Sequence, residues 1–90
     1  MIKLKLFSSL RELAGAKEVE IEGNGMSIKQ ALEKLASKLG EQAKPMLFDG
    51  SGDVSPSVLL LVNGDAAGDG PATKVKSGDV IAILLPTAGG

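Results

Sequence analysis

Ser27-Ile28-Lys29-Gln30-Ala31-Leu32-Glu33-Lys34-Leu35-Ala36-Ser37-Lys38-Leu39-Gly40 is the stretch that decides the fold. Ser27 and Gln30 make a capping-box pair, in which each side chain satisfies the other residue's free backbone N–H. Ile28, Ala31, Leu32, Leu35 and Leu39 recur at helical spacing along one stripe, and Lys29, Glu33, Lys34 and Lys38 take the other face. Gly40 supplies a left-handed stop. A helix this amphipathic needs an apolar surface to cover, and the flanking sequence supplies strands.

Residues 2–7 alternate, with Ile2, Leu4 and Leu6 opposite Lys3 and Lys5, which predicts a half-buried strand. Ser8 and Ser9 can cap a short helix bearing Leu10, Leu13 and Ala14, closed by Gly15. Residues 17–22 alternate again and pair with the first strand as a hairpin-like unit. Beyond the long helix the pattern weakens. Lys44-Pro45 and the Asp49-Gly50-Ser51-Gly52-Asp53 cluster mark loop, anchored by Met46, Leu47 and Phe48. Residues 58–62 are continuously apolar, as expected of a strand covered on both faces or near the sheet centre. Asn63-Gly64 signals a tight turn, residues 65–71 are glycine-rich, and Ser77-Gly78-Asp79 turns the chain into a last strand at 80–85. The order predicts an α+β domain spanning 1–90, one sheet with one long helix on one face, and a flexible tail, 86–90, projecting from the sheet edge.

Composition narrows the chemistry. Ninety residues allow one modest core. Cys and His are both absent, which removes thiolate nucleophiles, disulfides, His-based metal sites and every imidazole base. With no Trp or Tyr, two Phe and a net charge of −1, the chain has neither the stacking platform nor the basic surface of a nucleic-acid binder. No apolar run approaches the roughly 20 residues needed to span a bilayer, and the alternating start is unlike a signal peptide. A cytoplasmic protein without a self-contained active site is expected, binding no metal and no cofactor of its own.

The exception is the end of the chain, Gly89-Gly90. Glycine supplies 12 of 90 residues, so a chance diglycine end is expected in only about 2% of such chains. Without a Cβ, two glycines can thread a narrow channel and approach a partner's backbone closely. A free carboxylate must be activated before a nucleophile attacks it, most simply as an acyl-adenylate. This chain has no Gly-x-x-x-x-Gly-Lys loop, and Gly23-Asn24-Gly25 lacks the third glycine of a dinucleotide fingerprint. The ATP must be handled by another protein.

Met1-Ile2-Lys3-Leu4-Lys5-Leu6-Phe7, Leu10-Arg11-Glu12-Leu13-Ala14-Gly15, Leu61-Val62-Asn63-Gly64, Lys76-Ser77-Gly78-Asp79-Val80-Ile81-Ala82-Ile83 and Leu85-Pro86-Thr87-Ala88-Gly89-Gly90 together resemble the small subunits of molybdopterin synthase and their ubiquitin-like sulfur-carrier relatives. The resemblance spares only the 41–57 and 65–72 segments. Leu84 and Leu85 stand where that family often has an aromatic residue and a second proline. The resemblance implies a β-grasp, ubiquitin-like fold and a sulfur carrier. Gly90 would be adenylated by a ubiquitin-activating-enzyme-like adenylyltransferase and then converted by a sulfur donor to a thiocarboxylate. The synthase large subunit would receive the tail, and the sulfur would pass to a pterin precursor. Gly89 would thread the channel, with Pro86, Thr87 and Ala88 positioning it.

The thiamin-thiazole sulfur carriers and ubiquitin-like modifiers joined to target lysines share this ending, and a pure interaction domain is a third class. Docking is expected to bury an apolar part of the sheet near Leu59, Leu61 and the last strand. The remaining notable residues have plainer readings. Phe7 and Phe48 are core or loop anchors, with a partner-facing surface as the alternative for Phe7. Glu18, Glu20 and Glu22 form a solvated strand face. Arg11 and Glu12 form at most a weak surface ion pair. Asp49, Asp53, Asp65 and Asp69 are turn formers.

Overall fold

The computed structural model describes residues 1–85. In chain order they form β1 (Ile2–Leu6), α1 (Ser8–Ala14), β2 (Glu18–Ile21), β3 (Met26–Ser27), α2 (Ile28–Leu39), α3 (Lys44–Leu47), β4 (Leu59–Val62), β5 (Asp65–Ala66), β6 (Lys74–Val75) and β7 (Val80–Leu84). Five strands form one mixed sheet in the order β2-β1-β7-β4-β5, and β3 and β6 form a two-stranded ribbon. Only the β1–β7 pair is parallel. It aligns Lys3 with Val80 and Leu6 with Ile83.

Alternation builds the inner face of the sheet. Ile2, Leu4 and Leu6 of β1, Ile81 and Ile83 of β7, and Leu60 of β4 are buried in one cluster with Ile28, Ala31, Leu32 and Leu35 of α2. The capping box forms as read, with Gln30 N–H donating to Ser27 Oγ at 3.2 Å and Ser27 N–H to Gln30 Oε1 at 2.9 Å. The helix ends at Gly40, but not in the left-handed helical well. Gly40 has φ 102° and ψ −177°, an extended positive-φ region that is essentially glycine's alone. Its N–H still donates to Ala36 O at 2.8 Å.

Several expectations need correction. Neither Ser8 nor Ser9 caps α1. Phe7 occupies the N-cap with no side-chain hydrogen bond, and Ser8 enters the helix with φ 52°. The segment after α2 is not simply loop, because Pro45 falls in the first turn of α3, where its missing N–H is no loss. β7 is the middle strand of the sheet. The apolar run at 58–62 is not covered on both faces. Leu60 is 7% exposed and Leu59 54%, while Leu61 and Val62 are half-buried. The ribbon of β3 and β6 and the short β5 escape sequence reading, because two residues carry no period.

The Asn63-Gly64 turn forms as expected, both residues at positive φ, joining β4 to β5. Asn63 also ties this turn to the start of β7. Its Oδ1 accepts from Val80 N–H at 3.0 Å, and its Nδ2 donates to Asp79 Oδ1 at 3.1 Å. Lys76 N–H donates to Asp79 Oδ2 at 2.9 Å. The Lys76 N–H first and the Asn63 amide second hold the Asp79 carboxyl below its ordinary value of 3.8. At Asp49, the Ser51 hydroxyl and backbone N–H lower the carboxyl in the same way, closing the 49–53 turn.

Two outcomes test this arrangement. Leu60→Ala should cost about 2–5 kcal/mol in urea unfolding, while Leu59→Thr, one residue away, should stay within about 0.5 kcal/mol of wild type. Equal losses would mean that the outer face is packed. Because the folded Asp79 value is lowered, its contribution is complete above the unfolded value and is lost as pH falls through the folded one. Urea midpoints of wild type and Asp79→Asn, followed from about pH 7 to about pH 2, should converge at the acid end. A gap that ignores pH would show that the charge plays no part.

Candidate functional site

The tail residues Pro86, Thr87, Ala88, Gly89 and Gly90 lie outside the described residues. The candidate site on the described part of the chain is therefore the end of β7 from which they leave and the outer face beside it. Strand alternation and register place the side chains there. Leu59 is opposite Leu84, and Leu61 opposite Ala82. Ala82 is in turn opposite Lys5 of β1. Because Phe7 is still extended, with φ −134° and ψ 157°, it continues the outward alternation of Lys3 and Lys5.

Two rows result across β1, β7 and β4. Phe7, Leu84 and Leu59 form the row nearest the tail, and Lys5, Ala82 and Leu61 the next. No helix covers this face: α2 packs against the opposite one, and Leu59 is one of two large apolar side chains exposed among the described residues, Met1 being the other. The structure thus brings together the three features expected to form a docking surface, Leu59, Leu61 and the last strand. It also takes Phe7 out of the core and sets it on the same face, half-buried.

Arg11 is the residue that sequence reading undervalued. It makes no ion pair with Glu12 among the described residues. Its guanidinium carbon stands 5.3 Å from the Phe7 ring centre, and its Nε–H donates to Leu6 O at 3.2 Å. The signal was available in the Phe7–Arg11 spacing of four residues, once the strand phase sets Phe7 outward. Lys5, Leu6, Phe7, Arg11, Lys17 and Glu18 line a recess of about 240 Å³ at this end of the sheet.

The acidic trio behaves as a solvated face. Glu18, Glu20 and Glu22 are exposed, and Glu18 reaches Lys3 at 3.9 Å. A larger hollow of about 620 Å³ lies on the helical side between α2 and α3, lined by Ala36, Ser37, Pro45 and Phe48 among others. Glu33, Lys44 and Asp49 are its ionisable groups, and no cluster of three or more acidic residues able to hold a metal occurs among the described residues. No helix of the described chain is long and apolar enough to cross a membrane.

The chain is 34% identical to small archaeal modifier protein 1 of Haloferax volcanii over 96% of its own length and 97% of the relative's. Among solved structures, small archaeal modifier protein 1 of Methanosarcina acetivorans superposes with a TM-score of 0.85 at 31% identity, covering 99% of this chain and 95% of that one. A Pyrococcus furiosus protein assigned as molybdopterin converting factor subunit 1 superposes at 0.72 with 29% identity, over 96% and 97% of the two chains. The fold shared with these neighbours is the ubiquitin-like β-grasp. With its model matching residues 4–90, the ThiS family of ubiquitin-like sulfur carriers and small modifiers is the family to which this chain belongs.

Proposed function

We propose that Gly90 is the reactive group of this protein and that it carries sulfur as a terminal thiocarboxylate into molybdopterin synthesis. The observation that carries the reading is the family match running through Gly90 itself, on a chain that ends in Gly89-Gly90. A ubiquitin-activating-enzyme-like adenylyltransferase joins the Gly90 carboxylate to the AMP portion of ATP and releases pyrophosphate. Sulfur at the sulfide level, released by a sulfur donor, then attacks the acyl-adenylate carbonyl carbon and displaces AMP, leaving a thiocarboxylate at Gly90. The synthase large subunit takes up Pro86 to Gly90, the thiocarboxylate sulfur bonds to a carbon of the pterin precursor, and water cleaves the resulting thioester, leaving the sulfur on the pterin and returning the Gly90 carboxylate. The relative assigned to a molybdopterin converting factor supports this assignment.

The outer sheet face serves the same scheme. Phe7, Leu84, Leu59 and Leu61 present an apolar surface beside the tail's root, and covering it would dock the carrier with its tail aimed at the partner's active site. Contacts of that kind gain from removing apolar area from water.

A second reading has an observation of its own, the 34% identity to a small archaeal modifier protein. There the same acyl-adenylate would be attacked by a lysine amine of a target, giving an isopeptide bond to Gly90. The two readings part at the product.

The intact mass of N-terminally tagged protein from its native cells decides between them. A free monomer with one oxygen replaced by sulfur is expected for the carrier. Larger species with Gly90 on target lysines would make it a modifier, and unmodified monomer alone would sink both. Deleting Gly90 should abolish sulfur transfer while leaving the urea unfolding midpoint unchanged, since the buried core of the described residues lies within 2–83. Gly89→Val should impair activation, because a β-branched side chain widens and stiffens a threaded segment.

A further inference from the structure

Arg11 is held in a way that its own fold does not explain. One of its donors is used, on Leu6 O, and the plane of the guanidinium is steadied by Phe7. Its two terminal amino groups have no acceptor among the described residues. A cation over a ring at an exposed site contributes only about 0.5–1 kcal/mol, a small return for fixing a long side chain with two of its three nitrogens unmet. A guanidinium held this way is preorganised for a two-pronged bond to a carboxylate.

The neighbours reinforce it. Lys5 and Lys17 are exposed and share the recess with Arg11. Neither has a carboxylate within 4.0 Å among the described residues, where the ion pairs are Lys3–Glu18, Lys29–Asp53 and Lys44–Glu41. The carboxylate in the recess, Glu18, is engaged by Lys3. The chain as a whole carries a net charge of −1, so three uncompensated cations at one end of the sheet are a local excess.

Position says what meets them. Phe7 continues the register that sets Leu6 beside Ile83, so the cluster stands next to the end of β7, where residues 86–90 begin. Five residues reach at most about 17 Å when fully extended. Drawn out along the proposed channel, they would hold Gly90 and any nucleotide joined to it up to that far from the cluster, which would then face the protein at the channel mouth rather than the phosphates of ATP. We propose that Arg11, flanked by Lys5 and Lys17, is the charged anchor for the adenylating enzyme, and that this enzyme presents Asp or Glu side chains at the rim of the channel that admits the tail. The inference rests on the reading of Gly90 as the adenylated end.

The test is ATP–pyrophosphate exchange by the purified ubiquitin-activating-enzyme-like adenylyltransferase of the same cells, with the carrier as the varied substrate. Arg11→Glu should raise KM by about tenfold or more and leave kcat within about twofold, because a reversed charge acts on docking. Arg11→Lys, which keeps the charge but loses the fork and the ring contact, should raise KM by about threefold. Lys38→Glu makes the same change in net charge on exposed α2, and should leave KM unchanged. Raising salt should weaken wild type more than Arg11→Glu. Equal KM for wild type and both Arg11 variants would overturn the anchor while leaving Gly90's role standing. So would an equal rise in Arg11→Glu and Lys38→Glu, which is a bulk-charge effect. No exchange with wild type would remove the reading of Gly90, and the anchor with it.

Discussion

The two ends of the chain meet in the middle of the sheet. β1 and β7 run parallel, Lys3 beside Val80 and Leu6 beside Ile83, and everything else is arranged by that pairing. Parallel neighbours cannot be joined by a tight turn, so the intervening chain must cross over, and α2 makes the crossing along the inner face. β2 then adds to one side of the pair and β4 with β5 to the other. Because β1 and β7 point the same way, β7 ends where β1 turns into α1. Phe7 and Arg11, more than seventy residues away in sequence, thereby come to stand beside the end of β7.

A five-stranded sheet with one long helix leaves one face without cover, and the residues on that face record it. β2 and β1 fill their outward positions with Glu18, Glu20, Lys3 and Lys5, as a solvated antiparallel pair does. β7 and β4 fill theirs with Ala82, Leu84, Leu59 and Leu61. The boundary between charged and apolar outward residues falls between β1 and β7, and only Phe7 crosses it. Leu59, 54% exposed, and the half-buried Leu61, Ala82 and Leu84 around it are the apolar surface that the proposed docking would cover.

The long helix was legible in the sequence because three independent signals agreed: the capping box at Ser27 and Gln30, the stripe of Ile28, Leu32 and Leu35, and glycine at 40. Gly40 was right in identity and wrong in conformation, since both positive-φ regions select the same residue. The run at 58–62 read correctly as a strand. Of its two readings, a place near the sheet centre holds and cover on both faces does not, because an outward apolar residue and one facing the core look alike until the pairing of β4 with β7 is known. Lys44-Pro45 read as a break, although proline opens a helix as readily as it ends one. The chemistry proposed at Gly90 rests on the diglycine ending and the resemblance, because residues 86–90 lie outside the described ones. Arg11 was not legible, since its neighbours Leu6 and Phe7 lie on a strand and its own helix begins only at Ser8.

In the proposed scheme, threading a diglycine tail costs conformational entropy, and the surface beside the end of β7 can offset that cost. Fixing the backbone of one residue costs about 1–2 kcal/mol, and glycine loses more freedom than any other residue. Fixing five residues in the proposed channel would cost about 5–10 kcal/mol, and two glycines have no side-chain contact with which to offset it. The compensation has to come from the folded part of the molecule. Rooting the tail in β7, hydrogen-bonded to β1 on one side and β4 on the other, limits the loss to the tail itself. The uncovered Leu59 and Leu61, Phe7 and the charge of Arg11 lie around that root and can supply binding free energy without touching the reacting atoms. An isolated tail peptide, lacking these, would bind the same channel far more weakly.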